Sequence, residues 1–315
     1  MRRLLAVLAL AGGLSAPALG MGASARGTSA AAFLKLPAGA RPGAMGDAFG
    51  AVADDPNAAA YNPAGLAFIK RVSAVATHDS HFQSLRHDFG SVAVPLLSLT
   101  DTREQRNAWG VAALSVRTLG ATGIERRGLV ETDQPVGTFA AEDYAYAASY
   151  GRVVSGGFAA GATLKLVSQS LDSAQGKAEA LDAGMLWRGR GLTFGAGWRN
   201  LGTPLKLGGV ASPLPFTPYA AGSWAPAGGL LAVWEVRLPR DDSPRFSVGG
   251  ELTRSFGRLG AALRGGWNSS DTAADGLGGL TLGGGVSLGG FGVDFGWLPY
   301  GDLGAAYVTS VRLSF

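Results

Sequence analysis

Cysteine is absent from all 315 residues. That one absence excludes disulfides, thiol catalysis and cysteine-ligated metal sites. Histidine is nearly absent as well, with only His78, His81 and His87. A closed zinc site uses about four ligands, so these three read as polar wall residues. With a two-residue turn at Gln83-Ser84, His78 and His87 share a face and His81 points away. Asp79 and Ser80 adjoin His78, but neighbours in a strand point to opposite faces, so no hydrolase triad is indicated. The glycine runs, such as GLGGLTLGGG at 276–285, lack the Lys-Ser/Thr of a phosphate loop. An enzyme and a bound cofactor are therefore not expected. Charge is scarce too, at 16% of residues, against roughly 25% in soluble domains. The net charge of +4 is scattered rather than striped, which argues against a nucleic-acid surface. Past the N-terminus no run of about 18 apolar residues occurs, so no membrane-spanning helix is expected.

What is present begins with MRRLLAVLALAGGLSAPALG. Arg2 and Arg3 precede an apolar stretch from Leu4 to Leu14, and small residues follow at Ala16, Ala18 and Gly20. This is the pattern of a secretory signal peptide spanning 1–20. From residue 72 onward the sequence alternates with a period of two. Leu192, Phe194, Ala196 and Trp198 alternate with Thr193, Gly195, Gly197 and Arg199. Phe291, Val293, Phe295 and Trp297 alternate with Gly292, Asp294 and Gly296. Alternation of this length is a strand signal. The segments run about 10 residues, as a tilted membrane-crossing strand requires, and longer than the usual soluble strand of about 5–6. Six of the seven tryptophans fall near segment ends, as an aromatic girdle would place them. The chain closes on a strand with a terminal Phe.

About fourteen segments can be counted: 72–82, 85–95, 107–118, 141–153, 157–168, 178–188, 191–200, 216–224, 229–238, 245–255, 259–268, 278–288, 291–299 and 304–315. An even number suits a bacterial antiparallel barrel with short periplasmic turns and longer outer loops. Long stretches at 119–140, 169–177, 201–215, 239–244 and 269–277 follow odd segments. Short ones at 154–156, 189–190, 225–228, 256–258 and 289–290 follow even segments. The first two hairpins break this rule, with 83–84 short and 96–106 long. The expected class is an all-β transmembrane antiparallel barrel of residues 71–315 in the bacterial outer membrane, with lipid as its surroundings.

On the alternation, the lumen-facing charges are Lys165, Asp182, Arg188, Arg199, Glu235, Arg237, Glu251, Arg264, Asp294 and Arg312. Both signs are interspersed, which reads as a brace more than as a selective single-sign ring. Two turns fix register. A turn at Arg190-Gly191 pairs Gly189 with Leu192, sets Trp187 against Phe194 on the lipid side and puts Asp182 opposite Arg199. A type II′ turn at Gly257-Arg258 pairs Phe256 with Leu259 and puts Glu251 opposite Arg264. The glycines on the lumen face leave room for a plug.

Residues 54–66, DDPNAAAYNPAGL, break the strand pattern. Asp55 can cap a helix, with Pro56 in its first turn. Asn62 stays extended because Pro63 follows it, and Gly65 suits a turn or C-cap. Such a module cannot bury a core alone. The longer stretch GTSAAAFLKLPAGARPGAMGDAFGAVADDPNAAAYNPAGL resembles the N-terminal region of the PorV/PorQ family of FadL-like outer-membrane barrels. WRNLG at 198–202, LPFTPYAAGSW at 214–224 and AALRGGWN at 261–268 continue the resemblance, as does the closing GVDFGWLPYGDLGAAYVTSVRLSF. The resemblance implies a fourteen-stranded barrel holding an N-terminal hatch, residues 21–70, with short helical turns in its lumen. The hatch motif is then Asp54, Asp55, Asn62, Pro63, Ala64, Gly65 and Leu66. It also implies the barrel-assembly machinery as a partner during biogenesis, and secretion-system proteins or cargo of the type IX kind as partners in function. The alternatives are a FadL-like passive channel for hydrophobic small molecules and a structural barrel.

Overall fold

The computed structural model describes residues 22–80, 85–96, 109–130, 132–226, 228–269 and 277–315. The expected signal peptide and His81 lie outside them. Fourteen strands close into one antiparallel barrel. In chain order they are β1 (Ser73–Ser80), β2 (Arg86–Pro95), β3 (Val111–Arg126), β4 (Gly137–Ser155), β5 (Phe158–Leu171), β6 (Ala174–Gly189) and β7 (Leu192–Gly202). After a small separate hairpin, β8 (Leu205–Leu207) and β9 (Val210–Ser212), the wall resumes. It continues with β10 (Thr217–Trp224), β11 (Leu230–Arg237), β12 (Arg245–Phe256) and β13 (Leu259–Asn268), then β14 (Leu280–Leu288), β15 (Phe291–Pro299) and β16 (Ala305–Ser314). β16 pairs with β1, from Ser73 opposite Ser314 to Ser80 opposite Tyr307, so the wall has no free edge. A closed wall satisfies every ladder position internally, which a lipid environment demands.

Alternation sorts the side chains as a membrane barrel requires. Met185, Trp187 and Phe194 point outward from β6 and β7, while Asp182, Gly184, Thr193 and Gly195 are buried inside. The outward rings of Trp187 and Phe194 stack at 6.1 Å, on the register that the Arg190-Gly191 turn dictates. Both residues of that turn have positive φ, 50° and 77°, the two-residue geometry that follows strand twist. At Gly257 only the first central residue is left-handed, with φ 65°, as a type II′ turn requires.

Connections at one end are mostly two to five residues, and those at the other are mostly longer. Two loop lengths differ from expectation. Strands β5 and β6 extend through 169–177 and meet in a two-residue turn at 172–173, and β3 and β4 extend into 119–140, leaving 127–136 as the loop. The alternation there is carried by polar residues such as Gln169, Ser170 and Gln175, so hydropathy does not mark it as strand. At the short-turn end β2 finishes at Pro95 and β3 starts at Val111; residues 97–108, on which most of the expected 96–106 loop falls, lie outside the described residues.

Inside the wall lies residues 22–72. Single 3-10 turns at Ala23–Ala25 and Ala32–Lys35 lead to α1 (Ala40–Ala44) and α2 (Ala58–Tyr61), then to a 3-10 helix at Pro63–Phe68. The segment starts at the long-loop end, where Gly22 N donates to Asp242 O at 3.3 Å, and Ala30 N to Pro213 O at 2.9 Å. It descends the lumen and joins β1 at the other end. The core of the protein is therefore the space between this hatch and the wall. Toward β2–β6 it is made of small apolar groups: Ala53, Ala59, Ala64 and Leu66 against Ala93, Val111, Ala159 and Leu186. Toward β12–β15 the hatch meets bare backbone. A Cβ on Gly266 would fall 2.2 Å from Gly46 N, and one on Gly249 2.4 Å from Met45 O. Gly46 itself has φ 66°, and a side chain there would strike the carbonyls of Trp267 and Val248.

Candidate functional site

The hatch motif folds by local hydrogen bonds. Asp55 Oδ1 accepts from Asn57 N at 2.9 Å, and α2 opens at Ala58 with Asn57 as its N-cap, two residues later than a simple Asp55 cap would place it. Asn62 is extended, with φ −152° and ψ 101°, as a residue before proline should be. Its Oδ1 accepts from Ala64 N at 3.1 Å, capping the next helix. Its Nδ2 donates to Gly50 O at 2.8 Å and Met185 O at 3.2 Å, tying two parts of the hatch to the wall. Gly65 is not a turn or C-cap. It lies within the 3-10 helix Pro63–Phe68, and a Cβ there would meet Ala53 O at 2.1 Å; close approach, not chain reversal, is what requires glycine.

The ten lumen-facing charges lie on the inner face of the wall, and five of them, Arg188, Arg199, Glu235, Arg237 and Glu251, bond directly to the hatch. Glu235 is completely buried. Its carboxylate accepts from Phe49 N at 3.2 Å, Gly50 N at 2.8 Å and Arg199 Nη2 at 2.9 Å. Arg199 Nε donates to Tyr61 O at 2.7 Å. Arg188 Nη2 donates to Val52 O at 3.2 Å, and Arg237 pairs with Asp47. A second chain of charges runs along the lower half of β12–β16. Arg41 of α1 is bidentate on Glu251 at 2.9 Å for both bonds and also reaches Asp54 at 2.5 Å and Asp55 at 3.0 Å. Glu251 binds Arg264 at 2.6 Å, Arg264 binds Asp294 at 2.8 Å, and Asp294 binds Arg312. Burial works against the Arg41 cation, but the surrounding carboxylates outweigh it and raise its pKa well above the ordinary value. Burial also raises the Asp55 carboxyl, against the opposing pull of Arg41.

Two expectations fail here. Glu251 does stand opposite Arg264, but Asp182 does not pair with Arg199. The ladder passes from Ala183 opposite Trp198 to Leu181 opposite Leu201, so Asp182 faces two residues. Asn200 takes a left-handed conformation at φ 61° in this bulge. Asp182 then binds Lys165 Nζ at 2.6 Å and accepts from Asn200 N at 2.7 Å, which frees Arg199 for Glu235. The histidines also separate. His78 lies opposite Asp88 facing outward, and His87 lies opposite Asp79 in the buried lumen face. Five residues, 81–85, separate the paired Ser80 and Arg86, rather than a register centred on 83–84. That odd offset turns the second strand over. Among the described residues no group of three acidic or histidine side chains could hold a metal ion.

Above the hatch, at the long-loop end, a cavity of about 240 Å³ opens. Its floor is Leu34, Leu36, Pro37 and Tyr61 of the hatch; its sides carry Arg117, Arg199, Arg237 and Arg245. Arg117 is buried and donates to the carbonyls of Leu34 at 2.9 Å and Leu36 at 3.3 Å, with its guanidinium over the Phe89 ring. Burial and the neighbouring Asp47 raise the Tyr61 pKa well above its usual value. Arg41, Asp47, Tyr61 and Arg117 were not singled out from sequence. Arg117 was within reach, since it continues the inner row Val111, Ala113, Ser115. The hatch residues have no periodicity to betray them.

A plug that enters from the long-loop end and fills a fourteen-stranded wall invites comparison with known chains. The sequence profile of the uncharacterised protein family UPF0164 matches residues 10–185. The chain belongs to that family. No curated protein matches it by sequence. The UPF0164 barrel is similar in fold to a Pseudomonas aeruginosa FadL homologue, at 12% identity and TM-score 0.55, covering 88% of this chain and 98% of that one. It is similar to the Pseudomonas putida toluene transporter TodX, at 10% identity and TM-score 0.53, over 89% and 96% of the two chains. The TodX deltaS2S3 mutant, described as a monoaromatic hydrocarbon channel, gives 12% identity and TM-score 0.54 over 88% and 99%. At such identities the likeness is one of fold. This UPF0164 chain thus shares the barrel fold of those proteins over most of its length.

Proposed function

We propose that the protein is an outer-membrane channel for small hydrophobic or amphipathic molecules, held shut by its own hatch. The cavity above the hatch carries this reading. Apolar side chains and guanidinium groups converge there at the end of the wall that bears the longer loops, which in an outer-membrane barrel faces outward. Its volume of about 240 Å³ lies a little below the roughly 300–1,000 Å³ of typical ligand pockets, a size for a single ring or a short chain. Passage requires the hatch to shift, because Glu235, Arg199, Arg188 and Arg41 hold it across the lumen. Deletion of residues 54–66 tests this in planar bilayers. Conductance should rise, and benzene-sized probes should enter liposomes carrying the deletion faster than those carrying the full chain. Unchanged conductance and uptake would remove the channel reading.

A second reading, a partner in type IX-like protein secretion, draws on the PorV/PorQ resemblance. One feature favours it: the lumen is filled and its wall continuous, which suits a docking body better than an open pore. Loss of surface-attached cargo on gene deletion, with small-molecule uptake intact, would select this reading over the channel.

A further inference from the structure

The two rims of the wall differ in charge. At the long-loop rim both signs occur and pair with each other: Arg126 with Asp172 at 2.5 Å, Arg127 with Glu125 at 2.6 Å, Lys35 with Asp241 at 2.6 Å. At the short-turn rim, Lys70, Arg71, Arg152, Arg190, Arg254 and Arg258 are all exposed. The described strand ends and turns of that rim include no aspartate or glutamate; the one exposed acid at that mouth, Asp54 of the hatch, is already paired with Arg41. None of the six basic side chains forms an ion pair with another described residue. Arg254 donates only to backbone carbonyls, those of Gly228 and Thr253. Six cations of one sign around a ring repel one another, and a single-sign field of this kind points to an anionic partner.

The neighbours of these cations identify its kind. Arg152 and Arg254 leave the outer face of β4 and β12, in the same outward rows as Tyr150 and Phe256. Exposed Tyr150, Phe158, Trp224 and Phe256 form an apolar and aromatic band at the same end of the wall. Aromatic bands of this type mark the level where hydrocarbon gives way to headgroups, and arginine stems lie along such a band with the charge in the polar layer. The turn tips themselves are small: Gly156-Gly157, Gly257 and Gly289-Gly290. A protein docking across this rim would find charge but no buried aromatic or pocketed anchor, which stable interfaces concentrate at their centres.

We propose that the short-turn rim is a collar for the phosphate groups of anionic phospholipids in the leaflet that surrounds it. The collar sets the depth and tilt of the wall, since its cations stand on several sides: at the start of β1, at the end of β4, in the β6–β7 turn and around the β12–β13 turn. It rests on the reading of this chain as a membrane barrel.

The test uses the full chain in nanodiscs of equal phosphatidylglycerol and phosphatidylcholine, with retained lipids counted by native mass spectrometry. A cation near an anionic surface contributes a factor of about fivefold, so each collar site should favour phosphatidylglycerol by roughly that factor, and less as salt rises. The combined variant Arg152→Gln, Arg190→Gln, Arg254→Gln, Arg258→Gln should lose most of the preference. Arg126→Gln with Lys206→Gln at the other rim should keep it. Folding of each variant is checked by heat-modifiable gel mobility, and the salt dependence of the unaltered chain stands if the combined variant does not fold. Polyglutamate added to nanodiscs of pure phosphatidylcholine, and inorganic phosphate added in detergent, should bind no more than weakly. No lipid preference in the unaltered chain, the same preference in the combined variant, or tight polyglutamate or phosphate binding would overturn the collar. Failure of the chain to enter any bilayer would instead overturn the membrane reading.

Discussion

Replacing Arg41 by alanine should release the hatch while leaving the wall folded. Arg41 is 9% exposed and makes four bonds to three carboxylates, two to Glu251 and one each to Asp54 and Asp55. Breaking a buried ion pair from one side costs about 3–5 kcal/mol, chiefly because the partner is left uncompensated. Here neither buried partner is stranded. Glu251 keeps Arg264 at 2.6 Å, and Asp55 keeps Asn57 N and Nδ2 at 2.9 and 2.8 Å. The Asp54 carboxylate is 42% exposed, so its share is that of a surface pair, about 0–1 kcal/mol. The loss should therefore sit at the lower end, about 3 kcal/mol, or a rise of roughly 150-fold in the released population. Hydrogen exchange of amides 43–52 should quicken by about that factor, while strand amides of β3–β6 stay protected. Arg41→Lys keeps one charge but not the two-pronged bond to Glu251, and should fall between. Unchanged exchange in 43–52 would refute the latch. Equal loss of protection in hatch and wall would refute its local character.

Three other outcomes follow from the same geometry. Gly266→Val sets a side chain where Gly46 N would lie 2.2 Å from its Cβ; overpacking of this kind costs about 1–3 kcal/mol, read as raised basal conductance with normal heat-modifiability of the wall. Asp242 at the long-loop rim holds Arg26 at 2.9 Å and also binds Arg245. Burial opposes its charge, but the bonds from Arg26, Ser243 N and Arg245 prevail and lower its pKa. A lowered acid stabilises the folded form above the ordinary value of 3.8 and loses that contribution only as pH falls through the lowered one. Protection of residues 22–30 from protease should therefore persist at pH 4 and fade below it, and Asp242→Asn should abolish this dependence; release already at pH 5 would contradict the sign. Finally, the native chain has no cysteine, so Lys206→Cys should label on intact cells with an impermeant maleimide and Arg258→Cys should not. The reverse pattern would invert the barrel.

The wall was legible in the sequence because lipid and lumen impose opposite demands on alternate residues. Fourteen segments, two turn types and the inward direction of ten charges all rest on that one contrast. It fails where the contrast weakens. Along 169–177 both faces are polar, since the strands run beyond the apolar band, and the stretch reads as loop. Parity also fails silently: one extra residue around 81–85 carries His87 to the other face, and nothing in composition records it. The Asp182 bulge left a faint mark, an asparagine at the left-handed position of WRNLG, a residue that tolerates this conformation better than most. The hatch was legible as an interruption but not as a set of contacts. Arg41, Asp47 and Tyr61 sit in irregular chain, where no period tells which side chain meets which wall residue.

The pairing of β1 with β16 has a consequence for the order of assembly. The wall shuts only when its last strand, 305–314, finds its first, 73–80, some 230 residues earlier in the chain. Residues 22–72 run the length of the interior, and Gly266 and Gly249 leave no clearance beside Gly46 and Met45. A finished cylinder would have to be threaded by a segment already touching it on all sides. An open, curling sheet can instead wrap around a segment laid on its inner face. The final hairpin is then a seam sewn last, and its slow long-range closure gives the amino-terminal segment time to settle first. A chain that lacks 54–66 offers the curling sheet only part of that segment to wrap, and slower refolding of its seam would show that the plug serves as the template around which the cylinder forms.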